Sequence, residues 1–329
     1  MNTDFNKYDV FSIQSEEDFN RIALQIFHHQ YENVMPYRQF VNYLNIDIQG
    51  INHYLQIPCL PIEFHKTHKI LDQNAQTDFY FQSSGTTSAN LSKHFVADRR
   101  LYEESILYSF CRFFGEASQY VYLGLLPSYL ERQNSSLIYM VDFLMKQSAR
   151  AENGYFLHNF EELNQRLKKL EAENQKVVLF GVSYALLDFA EAFPQHIENA
   201  IVIETGGMKG RKKEITKDKL LGELQTAFQT EKIYSEYSMT ELLSQAYSLG
   251  NNVYQCPPQM KILIRDAEDP LNYVANGKSG GVNIIDLANF HACSFISTQD
   301  LGRKNTDDSF QILGRMDNSD IRGCSLLVV

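Results

Sequence analysis

Four short stretches of this chain carry side chains able to handle phosphate, a sugar and a metal ion. The first is Gln82-Ser83-Ser84-Gly85-Thr86-Thr87-Ser88, directly after a short strand-like run at 78–82. Its glycine lets the backbone approach a ligand closely, and its hydroxyls and N–H groups can donate to phosphate oxygens. Lys93 follows a few residues on and can neutralise charge. The plain alternative is a solvated Ser/Thr turn. The GxxxxGK[ST] pattern is absent, which argues against ordinary P-loop chemistry.

The second stretch is Tyr234-Ser235-Glu236-Tyr237-Ser238-Met239-Thr240-Glu241, where a strand gives way to an expected helix at 240–247. Ligands of open α/β sheets lie at the carboxyl ends of strands. An aromatic ring there can stack on a base, a hydroxyl can hold phosphate, and the Glu241 carboxylate can coordinate Mg²⁺. The alternative is a helix N-cap with Glu241 at the positive end of the dipole. Thr298-Gln299-Asp300-Leu301-Gly302-Arg303 and Gly314-Arg315-Met316-Asp317 complete the set. An Asp after a strand can hold both hydroxyls of a ribose, and a nearby Arg can reach phosphate or ribose. Either one alone reads equally well as a turn salt bridge.

The elements that must position these residues follow from periodicity. Residues 16–45 read as helices with Phe19, Ile22, Ala23 and Ile26 on one face, broken near Pro36. Residues 57–64, with two prolines, read as extended. A helix is expected from Asp98 through Phe114. Strand-like runs at 120–126, 177–180, 200–204 and 232–235 alternate with helical patterns at 135–145, 161–174 and 184–192. Strands alternating with helices predict a mostly parallel sheet covered on both faces. From Val253 the pattern changes to short strands at 261–265, 280–286, 294–297 and 310–313. The expected organisation is an α/β core over 1–250 with a helical N-terminal segment, and a smaller β-rich subdomain over 251–329 packed on it.

Composition sets the outer limits. A chain of 329 residues with 44% hydrophobic side chains can bury a sizeable core. The net charge of -10 argues against a nucleic-acid partner and means that a polyanionic substrate must be met by local donors. Cys59, Cys111, Cys256, Cys293 and Cys324 are odd in number and show no CxxC spacing, so neither a disulfide framework nor a zinc site is expected. A reducing cytoplasm fits. The first fourteen residues lack the basic and apolar runs of a signal peptide, and the most apolar stretch, 176–193, is too mixed to span a bilayer. His28-His29 reads as a solvated helix face, and His65 and His68 lack acidic company for a metal.

Taken in order, the four stretches resemble the adenylate-forming superfamily of acyl-CoA synthetases, peptide-synthetase adenylation domains and luciferases. That family shows a Ser/Thr/Gly phosphate loop, then Tyr-Gly-x-Thr-Glu, then Thr-Gly-Asp, then Gly-Arg-x-x-Asp. They stand here as Ser83 to Thr87, Tyr237 to Glu241, Thr298 to Asp300 and Gly314-Arg315 to Asp317, with Ser238 and Gln299 in place of the usual glycines. Gly206-Gly207 resembles the family's adenine-side loop. The run Glu204-Thr205-Gly206-Gly207-Met208-Lys209-Gly210-Arg211 and the ending Arg322-Gly323-Cys324-Ser325-Leu326 look like the acyl-protein synthetases of bacterial bioluminescence operons.

The resemblance implies an ATP- and Mg²⁺-dependent ligase that converts a carboxylic acid, a fatty acid in those enzymes, to acyl-AMP. The acyl group then passes to a thiol: Cys324, an acyl carrier protein or CoA. In that scheme Ser83, Ser84, Gly85, Thr86, Thr87 and Lys93 hold phosphates, and Gly206, Gly207 and Tyr237 the adenine. Asp300 and Arg315 hold the ribose, Glu241 the metal, and Thr240, Glu241, Lys209 and Cys324 serve the chemistry. Cys324 reads otherwise as a small buried hydrophobe beside Leu326 and Leu327. Superfamily members continue past Gly-Arg-x-x-Asp into a mobile lid with a catalytic lysine, and this sequence stops soon after Asp317. The expectation is therefore that the lid is absent and that Lys209, Arg211, Lys212 and Lys93 compensate charge, or that a partner enzyme completes the site. A nucleotide- or acyl-binding subunit with reduced turnover is the alternative, and a structural α/β protein is a third reading.

Overall fold

The computed structural model describes residues 6–83, 91–126, 134–207, 212 and 215–316. Two helices open the chain, α1 (Glu16–Asn33) and α2 (Met35–Tyr43). The Ser15 hydroxyl caps α1 by accepting from Asp18 N, and Phe19, Ile22, Ala23, Ile26 and Phe27 line its buried face. The two-residue strand β1 (Leu60–Pro61) and the short α3 (Phe64–Thr67) follow, then a hairpin of β2 (Tyr80–Gln82) and β3 (Lys93–Phe95). Asp98 accepts from Arg100 N and Leu101 N and so starts α4 (Arg99–Phe114).

The parallel part of the sheet comes next: β4 (Val121–Leu125), α5 (Ser136–Ser148), β5 (Gly154–Tyr155), α6 (Phe160–Ala172), β6 (Val177–Val182), α7 (Ser183–Ala192), β7 (Ala200–Thr205), α8 (Lys217–Phe228) and β8 (Tyr234–Tyr237). These strands pair in the order β5-β4-β6-β7-β8, all parallel. Every residue of β4 and β6 is buried, as continuous apolar strands covered on both faces must be. Helices α4 to α8 share this core.

At β8 the sheet turns antiparallel. β9 (Ala246–Ser248), β10 (Tyr254–Gln255), β11 (Met260–Arg265), β12 (Ser279–Asp286), β13 (Phe295–Lys304) and β14 (Phe310–Arg315) continue it in the order β8-β9-β10-β14-β13-β12-β11, and β1 joins β13 in parallel. Among the described residues twelve strands thus form one hydrogen-bonded sheet. The N-terminal helices pack not on its parallel part but on β11 to β13, in a core shared with Leu263, Ile285, Leu287 and Phe295.

The helix expected at 240–247 is not formed. Thr240 to Ser244 make turns and Ala246 enters β9 instead. The cause is competition for backbone groups. Leu243 N and Ser244 N donate to Asp286 Oδ2 at 2.7 and 2.9 Å, and the Glu241 carbonyl accepts from Asn289 Nδ2 at 2.8 Å. Side chains from a distant strand and loop satisfy what an i→i−4 ladder would otherwise satisfy.

The loop carrying Asn289 is in turn held by α1. Gln30, fully buried, donates from Nε2 to the carbonyls of Asn289 and Phe290 and to Ser294 Oγ, while its Oε1 accepts from Ser294 N. Gln30→Ala strands these partners without water and is expected to lower unfolding free energy by about 3 kcal/mol. Urea denaturation measures it; a loss below about 1 kcal/mol would show that the loop re-pairs by itself. His29, expected on a solvated face, instead stacks on Phe290 at 4.3 Å and bonds Asp72 at 2.8 Å.

Candidate active site at the carboxyl edge of the sheet

β8 delivers Tyr237 to the carboxyl end of the parallel strands, half-buried. Its hydroxyl donates to Asp300 Oδ2 at 2.7 Å. Asp300 on β13 lies opposite Arg315 on β14 in the antiparallel register. Arg315 Nε is 3.8 Å from Asp300 Oδ1, and its Nη2 donates to Gln299 Oε1 at 3.4 Å. The Asp300 side chain is 17% exposed and that of Arg315 is 74% exposed, so a fixed carboxylate stands beside a cation largely in solvent. Burial raises the Asp300 pKa, while the Tyr237 hydrogen bond and the Arg315 and Arg265 charges pull it back.

Arg265 supports this corner from beneath. It is buried and donates to Val282 O, Asn283 Oδ1 and Thr298 O at 2.8, 2.9 and 2.6 Å, and it touches Met316 Sδ at 3.4 Å. A Cβ at position 281 would come within 2.4 Å of the guanidinium carbon, so any larger residue there must displace the Arg265 side chain from these bonds.

Thr240 and Glu241 sit in the turn after β8, which removes the helix N-cap as an explanation for either residue. Glu241 is 5% exposed. Burial raises its pKa, and a hydrogen bond from Ser92 with the Lys66 and Arg315 charges opposes that rise. Ser92 precedes β3, the strand leaving the hydroxyl-rich loop. At the base of that loop Ser83 N donates to Ser92 O and Ser92 N donates to Ser83 Oγ, both at 3.1 Å. Two residues on, within β3, His94 Nδ1 lies 2.9 Å from Thr240 O. The exit of the loop and the Thr240-Glu241 turn are therefore one packed unit. Ser84, Gly85, Thr86 and Thr87 lie outside the described residues, as do Lys209, Arg211 and Cys324. Lys93 is exposed, with its ammonium 4.8 Å from the centre of the Tyr80 ring.

Gly206 and Gly207 follow β7 with φ of 78 and 67°, two successive left-handed residues that only glycine adopts cheaply. Beside them runs a buried polar chain. Glu204 accepts from Ser183 and pairs with Lys217, and Thr205 Oγ1 donates to Glu236 Oε2 at 2.5 Å. Burial works against the Lys217 charge, yet the Glu204 carboxylate keeps its pKa raised. Lys212 is engaged elsewhere: its ammonium is 2.7 Å from Asp188 on α7.

The residues that sequence reasoning missed are His94, Asn289, Asp286 and Arg265, all structural partners of the expected ones. None stands in a motif, and no spacing could have joined positions up to 195 residues apart, as His94 and Asn289 are. Among the described residues no cluster of three or more His, Cys, Asp or Glu could hold a metal by itself. No described helix is long and apolar enough to cross a membrane. The thiols of Cys59 and Cys256 are pushed up to about 12 by burial, and those of Cys111 and Cys293 are raised by burial as well.

The chain matches the LuxE acyl-protein synthetase family over residues 6–329. No match is found among curated protein sequences. Its fold is similar to ATP-bound MatB from Rhodopseudomonas palustris, at 14% identity and a TM-score of 0.55, covering 72% of this chain and 47% of that one. It is also similar to 2-hydroxyisobutyryl-CoA ligase in complex with 2-HIB-AMP and CoA, at 11% identity and a TM-score of 0.71, covering 97% and 73%. A third is the luciferase-like enzyme of the nonluminescent mealworm Zophobas morio, at 14% identity and a TM-score of 0.51, covering 74% and 60%. The chain spans about half the length of MatB. At these identities the likeness establishes the fold, that of the adenylate-forming enzymes.

Proposed function

Because this chain belongs to the acyl-protein synthetase family, we propose that it activates a carboxylic acid with ATP and passes the acyl group to a thiol. An acid oxygen attacks the α-phosphorus, the bond to the bridging oxygen of pyrophosphate breaks, and acyl-AMP forms. A thiolate then attacks the acyl carbon and AMP leaves. The observation that carries the reading is the contiguity of the motifs: Tyr237 bonds Asp300 at 2.7 Å, while the turn after Tyr237 bonds the strand leaving the hydroxyl-rich loop. Stretches more than 200 residues apart meet at one edge, where an adenine, a ribose and a triphosphate would lie side by side.

In this reading Asp300 accepts from the ribose hydroxyls, Arg315 swings onto ribose or phosphate, and Tyr237 with Gly206 and Gly207 borders the adenine. Ser83 to Thr87 and Lys93 grip the β- and γ-phosphates. Thr240 offers a hydroxyl to the phosphates and Glu241 a carboxylate to Mg²⁺. One buried carboxylate suits that ion, which keeps several waters and takes its remaining ligands from substrate phosphates. Bound there, the ion would neutralise charge on the departing pyrophosphate. Lys209 and Cys324 complete the proposed machinery, Lys209 as a charge partner and Cys324 as the acyl acceptor. Burial raises the pKa of the four described thiols and so disfavours their thiolates, which supports Cys324 over them. A fatty acid as substrate, a carrier protein or partner enzyme as acceptor, and a cytoplasmic setting belong to the same proposal. So does the division into an α/β core over 1–250 and a β-rich part over 251–329.

Pyrophosphate exchange with a panel of fatty and aromatic acids tests the first step. Acid-dependent exchange is expected, and its absence from folded protein that binds ATP would favour a binding subunit instead. Cys324→Ala is expected to abolish covalent labelling by radioactive acid and leave exchange intact; undiminished labelling removes Cys324 from the mechanism.

A further inference from the structure

We infer that His94, with Asn289 and Asp286, forms a cradle that positions the Thr240-Glu241 turn, making His94 a positioning residue for the adenylyl-transfer step. The inference rests on the activity proposed above. Every backbone group of the turn that the cradle meets is claimed by a side chain from elsewhere in the chain. The Thr240 carbonyl faces His94 Nδ1 at 2.9 Å, the Glu241 carbonyl accepts from Asn289 Nδ2 at 2.8 Å, and Leu243 N and Ser244 N donate to Asp286. Asp286 is fully buried and also accepts from Ser244 Oγ and Ala288 N, at 2.7 and 3.2 Å.

Histidine is the demanding member. Asn289 Nδ2 donates to two carbonyls, those of Glu241 and Cys293, so its oxygen is fixed toward His94 Nε2 at 2.9 Å. Both ring nitrogens of His94 thus face acceptors that cannot exchange roles. Burial lowers the His94 pKa and the two hydrogen bonds oppose that fall, so the neutral ring donates to one acceptor and is held against the other by packing. No amide side chain reaches both acceptors from opposite ends of a rigid ring. His65 stands edge-on to this ring, 5.8 Å between centroids, and closes the far side.

The consequence is geometric. His94 stands on β3 just past the hydroxyl-rich loop and ends on the carbonyl of Thr240, so it sets how the strand leaving that loop stands against the Thr240-Glu241 turn. A displacement of about 1 Å at such a junction can cost up to 10²-fold in rate. A residue that merely stabilised the fold would instead lower the amount of folded enzyme and leave its kinetic constants alone.

The test compares wild type, His94→Ala, His94→Gln and Asn289→Ala in pyrophosphate exchange. The readouts are kcat, KM for ATP, the MgCl2 concentration giving half activation, and the folded fraction. His94→Ala is expected to lower kcat on the order of tenfold or more, to raise the MgCl2 requirement, and to change KM for ATP little, because Tyr237 and Asp300 are untouched. Added imidazole should restore part of the rate in His94→Ala. His94→Gln, which keeps one bond, should fall between, and it decides the matter if the alanine variant does not fold. A rate that follows only the folded fraction, with unchanged MgCl2 dependence and no response to imidazole, overturns the inference. A wild type without exchange overturns the proposed activity and this inference with it, whereas active wild type with unaffected variants overturns the inference alone.

Discussion

Glu241→Gln should lower the pyrophosphate-exchange rate by about 10³-fold while the protein still folds and still binds ATP. The substitution keeps the size of the side chain and one acceptor oxygen, and it replaces the negative charge and the second oxygen with a neutral NH2 group. In the protein as it stands that charge is costly. Glu241 is 5% exposed, burial raises its pKa, and the opposing influences are a Ser92 hydrogen bond and the charges of Lys66 and the exposed Arg315. No described residue forms an ion pair with it within the usual contact distance.

A buried carboxylate kept without a contact cation is the arrangement expected of a group that awaits one. If Mg²⁺ and the triphosphate supply it, the amide removes the strongest protein ligand to the ion, and a loss of about 4 kcal/mol in the transition state follows. The same change should relieve the resting protein, so thermal stability is expected to rise slightly or hold. Lower rate with equal or higher stability separates a functional carboxylate from a structural one. A variant that loses stability in step with its rate would assign Glu241 to the scaffold and leave the metal without its ligand.

This pattern also explains which parts of the protein could be read in advance. The parallel half was legible because β4 and β6 are buried on both faces and their apolar runs show it directly. Asp98, with the one-sided spacing of Leu101, Ser105, Leu107 and Tyr108 behind it, announced α4, and the hydrogen bonds to Arg100 N and Leu101 N are the mechanism. The stretch from Thr240 to Tyr247 was misread because Leu242, Leu243, Ala246 and Tyr247 repeat at helical spacing and are in fact buried. What forbids the helix is Asp286, more than forty residues away, whose carboxylate takes the N–H groups of Leu243 and Ser244. Periodicity reports which side chains are buried; it does not report who satisfies the backbone.

The site shows the same division. Tyr237, Thr240, Glu241, Asp300 and Arg315 could be proposed because four short stretches stand in the order of a known family's motifs, not from any one residue type alone. His94, Asn289 and Arg265 could not, since each acts through a backbone carbonyl that has no sequence signature. The continuity of the sheet from β8 through β9, β10 and β14 was hidden for a related reason. It passes through β10, a strand of two residues, too short for alternation to register.

Asp300→Ala should raise KM for ATP so that kcat/KM falls by about 10³-fold, with a smaller effect on kcat. Two ribose hydroxyls donating to one carboxylate are charge-assisted hydrogen bonds of about 1.5–3 kcal/mol each, made to substrate and transition state alike. Tyr237→Phe separates the carboxylate from its support. The Tyr237 hydroxyl donates to Asp300 and stabilises the ionised form, against the burial that raises its pKa. Removing the hydroxyl therefore raises that pKa further. If Asp300 holds the ribose as proposed, binding needs the anion, which is lost as pH falls through the raised value, so kcat/KM for ATP should decline on the acid side of neutrality. In Tyr237→Phe that decline must begin at higher pH, with near wild-type behaviour in mildly alkaline solution. A limb that does not move, or one that moves to lower pH, would mean that Asp300 meets the nucleotide as a neutral acid or does not meet it. The alkaline side offers no such shortcut, because burial and the Asp300 charge hold the Tyr237 phenol well above its ordinary range. The acid limb of a single variant thus reports whether the carboxylate at the junction of β13 and β14 is where ATP is held.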